Sequence, residues 1–419
     1  MSANLAYLDT AATQAPPLFE PNTDNRFIAR AVLLRDRFEK DAIARDRAGG
    51  RPTAQIQLLK EQGLLTLLLP KAFGGEGEAW STALRIARLF AQVDGSLGHL
   101  YGYHHFSLLG MTLREDPAKT EELWRRSVEG NWFWGNTTNS FSQSLFGRRE
   151  SKGDGEWFVL DGFRPFTSGS HVADRLAIAW EDADTGERRF AAIEANREGL
   201  VIENDWDGIG QRQTGSGRVS YHGVRVHQSE VLGAPVPLNP TGAPAEPYRT
   251  LTPLLQQSVL LNVFVGTAQG ALRAARGYTV QHSRPWVHSG VERHTDDPWV
   301  QRQYGELYVL TRAATALADR ALQALDDAAA RGTALTAAER GEAAVAVAAA
   351  NVLAGEVALK VSSEIFEVTG ARSAVRQRGL DRFWRNARIH TLHNPAEYKS
   401  RNVGRWFLGE GHPEPGTFQ

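Results

Sequence analysis

Apolar residues recur at three- and four-residue spacing in "RFIARAVLLRDRFEKDAIARDRAG" and again in "TALRIARLFAQV", which predicts amphipathic helices through the first part of the chain. Near Asn131 the pattern changes. "EWFVLDGFRPFTSG", "RLAIAWED", "RRFAAIEA", "GLVIEND" and "GRVSYHGVRV" are short, rich in β-branched and aromatic residues, and separated by Gly and Asp turns such as "KGDGE" and "DADTGE". They predict a central antiparallel β domain. The proline-rich "LGAPVPLNPTGAPAEPY" reads as a linker, and from Leu251 the helical spacing returns. "AATALADRALQALDDAAA" and "AERGEAAVAVAAANVLAGEVALKVSSEIFEVTG" are long and alanine-rich, with Gly370 placed to stop the second, so the last part should be an antiparallel helical bundle. The expected division is a helical domain over residues 1–128, a β domain over 129–238 and a helical bundle over 239–419, an α+β architecture. The order is not the alternating βαβ of a nucleotide-binding sheet.

Composition narrows the function more than the fold. Forty-seven basic residues face forty-eight acidic ones with no block of like charge, so a nucleic-acid-binding surface is not expected. The absence of cysteine excludes disulfides, thiolate metal sites and a cysteine nucleophile. No basic segment followed by an apolar one marks a leader, and the nearest thing to a membrane span, "EAAVAVAAANVLAGEVALKV", is alanine-rich and carries Glu356; a cytoplasmic protein is the expectation. Glycines 74, 75 and 77 in "LLLPKAFGGEGEAW" serve either a turn or a phosphate-cradling loop, and no strand-to-helix unit with the full glycine fingerprint surrounds them.

Four clusters carry candidate chemistry. "HLYGYHH" (residues 99–105) places His99 and Tyr103 on one helical face, with His104 and His105 turned away; it can be core packing, a polar pocket wall or, less readily without a His-Glu-x-x-His arrangement, a metal site. In "FWRNARIHTLHNPAEYK", His390 and His393 stand three apart before Pro395, a spacing suited to a metal or to acid/base work. "NWFWGNTTNS" offers Trp134, Asn136 and Thr137, and "FTSGS" offers Thr167, Ser168 and Ser170. Small hydroxyl and amide groups beside aromatics suit a flat heteroaromatic ligand, and are also ordinary turn residues.

Taken in order, these segments with "LDGFRPFTSGSHVADRLAIAW" and "WDGIGQRQTGSGRVSYHGVRVHQSEVLG" resemble the acyl-CoA dehydrogenase superfamily over nearly the full chain. The closer resemblance is to its flavin-dependent monooxygenase branch, the dibenzothiophene monooxygenases and related sulfur- and nitrogen-oxidising enzymes. An acyl-CoA dehydrogenase needs a glutamate base at one of two places. Here "TGARSAVRQRGL" contains none, and Gln256 stands at the other, where glutamine cannot accept a proton. Such dehydrogenases also hold FAD with an Arg-x-x-Phe-Gly segment, of which "SRPWVHSG" keeps only Arg284.

The resemblance therefore implies reduced FMN rather than FAD, with Arg284 or Arg372 for its phosphate, and oxygen transfer through a C4a-hydroperoxyflavin to a small sulfur-containing or aromatic substrate. It implies His393 or His390 as proton donor, Asn136 with Ser168 or Ser170 orienting flavin and peroxide, Thr137 and Thr167 beside the cofactor, and His99, Tyr103 and Trp134 on the substrate wall. No dinucleotide fingerprint is present, so a separate NAD(P)H-dependent flavin reductase is the expected partner; no resident metal is expected, and the resemblance implies a homotetramer. The competing readings are an FAD-dependent acyl-CoA dehydrogenase with a displaced base and a non-catalytic member of the fold.

Overall fold

The computed structural model describes residues 19–114, 117–139, 141–237 and 246–416, so the middle of the proline-rich linker lies outside the described residues. The first segment forms α1 (Arg26–Glu39), α2 (Ala42–Ala48), α3 (Thr53–Glu61), α4 (Trp80–Ala91), α5 (Gly95–Thr112) and α6 (Pro117–Glu129). Asn25 starts α1 by accepting from the backbone N–H groups of Phe27 and Ile28, and Asp94 starts α5 by accepting from that of Leu97. Between α3 and α4 the glycines make a turn: Gly74 and Gly77 have φ of +87° and +62°. The turn closes on itself through hydrogen bonds from Gly77 N to Leu69 O and from Glu78 N to Leu67 O.

The central segment is one seven-stranded sheet: β1 (Trp134–Thr137), β2 (Leu145–Lys152), β3 (Gly155–Arg164), β4 (Arg175–Asp182), β5 (Arg188–Glu194), β6 (Leu200–Ile202) and β7 (Val219–His227). It is mixed rather than purely antiparallel, which corrects the reading from sequence. β5 covers one edge of β4; β1 and then β2 run parallel to β4 along its other edge, and the remaining pairs are antiparallel. Side chains alternate with a period of two in either orientation, so the pattern that predicts a strand is silent on its direction.

The last segment forms α7 (Thr252–His282), α8 (Pro298–Ala330), α9 (Ala337–Thr369), α10 (Asp381–Thr391) and α11 (Ala396–Phe407). A capping box between Thr336 and Glu339 opens α9, and Gly370, at φ +77°, ends it. α9 is long and apolar enough by composition to cross a membrane, yet its face of Ala343, Ala350, Ala354 and Ala358 is buried in the bundle core. The helices of the first and last segments share that single core, in which Phe38, Phe90 and Leu100 join Val259, Leu261 and Val361.

Small residues bring α4, α5 and α7 close enough to build a site. A methyl on Gly102 of α5 would overlap Val259 of α7, and one on Gly98 would stand 2.7 Å from the Ala87 carbonyl oxygen of α4. On α7, Gly266 and Gly270 lie against the carbonyls of Arg88 and Gln92. Gly102→Ala should therefore cost about 1–3 kcal/mol through overpacking, although alanine is the better helix former. Thermal unfolding checks this; a variant as stable as the parent means that the α5–α7 seam can open at no cost.

Candidate active site

α5 is buried along almost its whole length, so its polar side chains must find partners inside the protein. Their arrangement follows from 100° per residue. His99, Tyr103 and Ser107, each four residues apart, form one slowly turning stripe. His104 points elsewhere, and its partners define its state. Its Nδ1 accepts from the Trp134 backbone N–H at 3.0 Å, so Nε2 carries the hydrogen and donates to the Leu65 carbonyl at 2.8 Å. The ring stacks on Phe133 at 5.2 Å, and burial pulls its pKa down to about 4. His104 is a structural tie between α5, β1 and the loop after α3, and the His105 ring packs edge-on against Tyr101 at 4.8 Å.

The stripe meets the end of α10. The His99 ring lies 4.0 Å from Tyr103 in a near-parallel stack and 4.7 Å from the ring of His390. Neither nitrogen of His99 or of His390 has a hydrogen-bond partner among the described residues. Burial, then repulsion from the neighbouring imidazoles, holds His99 far below its ordinary pKa, and the same causes bring His390 down to about 3. Both rings are neutral at physiological pH. Phe264 of α7 closes the cluster, its ring edge-on to His390 at 6.1 Å.

His393 lies just past the end of α10, with its Nε2 3.3 Å from the Tyr103 hydroxyl and its Nδ1 3.4 Å from Asn394 Oδ1. Gln256 of α7 donates to the same hydroxyl from the other side at 3.3 Å. Burial, and to a lesser degree the charge of Lys399, lowers the pKa of His393, while its bond to Asn394 raises it. Tyr103 is pushed up by burial and stays protonated.

On the sheet side, Asn136 Nδ2 reaches Ser107 Oγ at 3.4 Å, joining β1 to the stripe one turn beyond Tyr103. The Asn136 backbone N–H donates to the Ser168 carbonyl, and the Ser168 hydroxyl pairs with that of Ser216 at 2.7 Å. Ser216 bonds in turn to Thr214, so two loops are laced together here.

The structure thus brings together His99, Tyr103, His390 and His393, and links Asn136 and Ser168 to them through Ser107. Other residues singled out from sequence lie elsewhere. Strand alternation turns Thr137 away from Asn136: its hydroxyl sits between Tyr221 Oη at 2.8 Å and the Ala177 carbonyl, fully buried in the sheet. Thr167 and Ser170 bond to each other at 3.2 Å, and Thr167 also donates to Gly217 O, which shapes the loop from within. Trp134 is buried among Leu69, Leu108 and Met111, a core residue rather than a wall beside His99.

Arg284 and Arg372 do come together, with Arg378, around a surface cavity of about 480 Å³ whose lining contains no carboxylate. At about 1.5 Å per residue, α7 places Arg284 roughly 40 Å from Gln256 along its axis, well beyond the length of a mononucleotide. Ser107, Ser216 and Asn394 were not singled out from sequence. Ser107 alone carried a signal, its four-residue step from Tyr103 on a helix that has little polar face. Among the described residues no group of three or more His, Asp or Glu is arranged to hold a metal.

With this geometry the chain can be compared with known proteins. Residues 259–397 match the family described as acyl-CoA dehydrogenase, C-terminal domain. The chain is 38% identical over 392 residues to a probable FMNH2-dependent monooxygenase of Pseudomonas putida, covering 93% of this chain and 97% of that protein. It is 38% identical over 399 residues to the dibenzothiophene monooxygenase of Rhodococcus qingshengii, covering 94% and 95%. Among solved structures, the methanesulfinate monooxygenase of Pseudomonas fluorescens superposes with a TM-score of 0.87 at 37% identity, covering 93% of this chain and 99% of that one. The FMN-bound dibenzothiophene monooxygenase-type protein TdsC of Paenibacillus gives a TM-score of 0.87 at 34% identity, covering 94% and 100%.

Relatives at 38% identity over more than nine-tenths of the chain that are named monooxygenases make this protein a flavin-dependent oxidoreductase. The chain belongs to the acyl-CoA dehydrogenase superfamily and, within it, to the flavin-dependent monooxygenase branch.

Proposed function

We propose that this protein is the oxygenase half of a two-component system, taking reduced FMN from a separate NAD(P)H-dependent reductase and inserting one oxygen atom into a small sulfur-containing or aromatic substrate. The observation that carries this reading is the carboxylate-free cluster at the site. Gln256, which the family resemblance puts at the place of a dehydrogenase base, donates an amide N–H to Tyr103, and among the described residues His99, Tyr103 and His390 make no hydrogen bond to a carboxylate. A site without such a base is poorly equipped to remove an α-proton from an acyl thioester. It is well equipped to hold neutral hydrogen-bonding groups around a reacting centre.

FMN fits the residues present. The orphaned imidazole nitrogens of His99 and His390 are buried polar atoms that a ligand can satisfy, and the Asn136 amide and Ser168 hydroxyl offer bonds to the edge of a flat ring. Reduced FMN, when bound, supplies the electrons and the reaction with molecular oxygen. The protein's part is then to bind, orient and keep dry. His99, Tyr103 and Phe264 form a compact wall of rings that excludes water. His393 Nε2, facing the Tyr103 hydroxyl, takes up and returns a proton at the reacting centre in concert with that hydroxyl.

The Arg284, Arg372 and Arg378 cavity suits a phosphate, and at its distance from Gln256 an FMN phosphate held there would belong to a flavin whose ring serves the cluster of a neighbouring subunit. Exposed large apolar side chains on the C-terminal helices and their connections, Trp286, Trp299 and Phe407 among them, support the proposed homotetramer.

Anaerobic mixing with reduced FMN, followed by oxygenated buffer, tests the reading. The expected result is an absorbance transient distinct from reduced and oxidised flavin, with oxygenated product from an organosulfur or heteroaromatic substrate. Arg284→Ala should weaken reduced-FMN binding about 10- to 100-fold, the worth of a charge-assisted hydrogen bond. Oxidation of NADH at a catalytic rate by the purified protein with added FMN would remove the separate reductase.

A further inference from the structure

We propose that Gln256 is a positioning residue that sets the direction of hydrogen bonding through Tyr103 and thereby decides which ring nitrogen of His393 is bare. Three contacts carry the inference: Gln256 Nε2 to Tyr103 Oη at 3.3 Å, Tyr103 Oη to His393 Nε2 at 3.3 Å, and His393 Nδ1 to Asn394 Oδ1 at 3.4 Å.

The chemistry of each group fixes its role. A neutral imidazole has one N–H. The Asn394 oxygen can only accept, so that hydrogen is on Nδ1, and Nε2 is left with a lone pair. Tyr103 has a single O–H, which can serve either Gln256 or His393. The Gln256 amide N–H occupies the lone-pair side of the tyrosine oxygen and leaves the O–H for His393. The bonds thus run one way, from Gln256 through Tyr103 and onto His393 Nε2.

A glutamate here reverses that order. A carboxylate accepts, so it takes the Tyr103 O–H for itself, and the tyrosine oxygen then offers a lone pair to His393. His393 gains by carrying its hydrogen on Nε2 or by keeping a second proton. On this view the glutamine in place of a dehydrogenase base has a function of its own: it presents Tyr103 as a donor and keeps a bare Nε2 at the reacting centre. Among the described residues, titratable groups that act on His393 or on its neighbours include Lys399 on α11, His390 on α10, and His99 beside Tyr103 on α5. None of them replaces the direction set by an amide, since each acts on His393 through charge rather than through the tyrosine.

The kinetic consequence rests on the monooxygenase reading, whereas the hydrogen position does not. Solid-state 15N NMR of histidine-labelled protein reads it directly, with His393 assigned by difference against His393→Asn. In the wild type the expected His393 signals are a protonated Nδ1 and a bare, hydrogen-bonded Nε2. In Gln256→Glu the hydrogen should move to Nε2, or the ring should titrate at higher pH, and product per reduced flavin should fall about two- to tenfold, the worth of one neutral hydrogen bond. A protonated Nε2 in the wild type, or a His393 unchanged in Gln256→Glu, overturns the inference. If the glutamate variant does not fold, the wild-type spectrum decides alone. Absence of product from wild-type protein with the expected ring pattern would count against the oxygenase reading and leave this one standing.

Discussion

His393→Ala is expected to lower product formed per reduced flavin by about 10²- to 10⁴-fold, the range for loss of a positioned acid/base group. The side chain stands beyond the end of α10 and is half-buried, outside the packed core, so its removal opens no cavity there. Folding and reduced-FMN binding should therefore survive. What is lost is the ring whose Nε2 meets the Tyr103 hydroxyl, the one imidazole of the cluster tied at both nitrogens to polar side chains. Oxygen uptake should continue while product falls, because reduced flavin still reacts with oxygen and the electrons end in hydrogen peroxide. Measuring oxygen consumed, peroxide released and product formed in one assay separates the two. An unchanged ratio of product to oxygen would take His393 out of the mechanism. His390→Ala should behave differently: its ring packs against His99 and Phe264, so flavin binding and stability should fall along with turnover.

Acid is expected to destabilise the protein well before its carboxylates protonate. Four buried histidines, His99, His104, His105 and His390, have folded-state pKa values pulled below the ordinary 6.5, those of His104 and His390 to about 4 and about 3. A histidine held neutral by folding binds no proton in the native state but binds one in the unfolded chain below its unfolded pKa. Stability is thus highest above pH 6.5 and declines as the pH falls from there toward the folded values. Between pH 7.5 and 5.5 each such group costs about 1.4 kcal/mol, and four of them at most on the order of 5 kcal/mol, against the 5–15 kcal/mol typical of a folded protein. His104 makes the cause concrete, since a proton on its Nδ1 must break the bond from the Trp134 backbone N–H. Urea unfolding at the two pH values measures the change. Equal midpoints would mean that water or a counter-charge reaches these rings in the native state.

How much was legible beforehand can be judged from particular residues. The stripe of His99 and Tyr103 followed from a four-residue step, and the pairing of His390 with His393 from proximity in the chain. Thr137, Thr167 and Ser170 lie beside Asn136 and Ser168 in sequence, and Trp134 stands two residues before Asn136, yet these neighbours do not share one surface. Neighbours on a strand face opposite ways, and loop hydroxyls as often brace their own loop as line a cavity. The parallel run of β1 and β2 beside β4 is equally invisible in the sequence, since strand propensity carries no direction.

By itself the sequence determined which segments are helix and which are strand, that an amide stands at position 256, where the resemblance to acyl-CoA dehydrogenases implies a base, and the absence of cysteine chemistry, because periodicity and residue identity are local properties. Only the tertiary structure decided that Gln256, Tyr103, His393 and Asn394 form one line of hydrogen bonds, and that Ser107 carries the site across to Asn136. Those contacts join residues up to 290 positions apart. They arise where glycines let α4, α5 and α7 close on one another and where α10 ends, and such packing is a property of the assembled core rather than of any one stretch of chain.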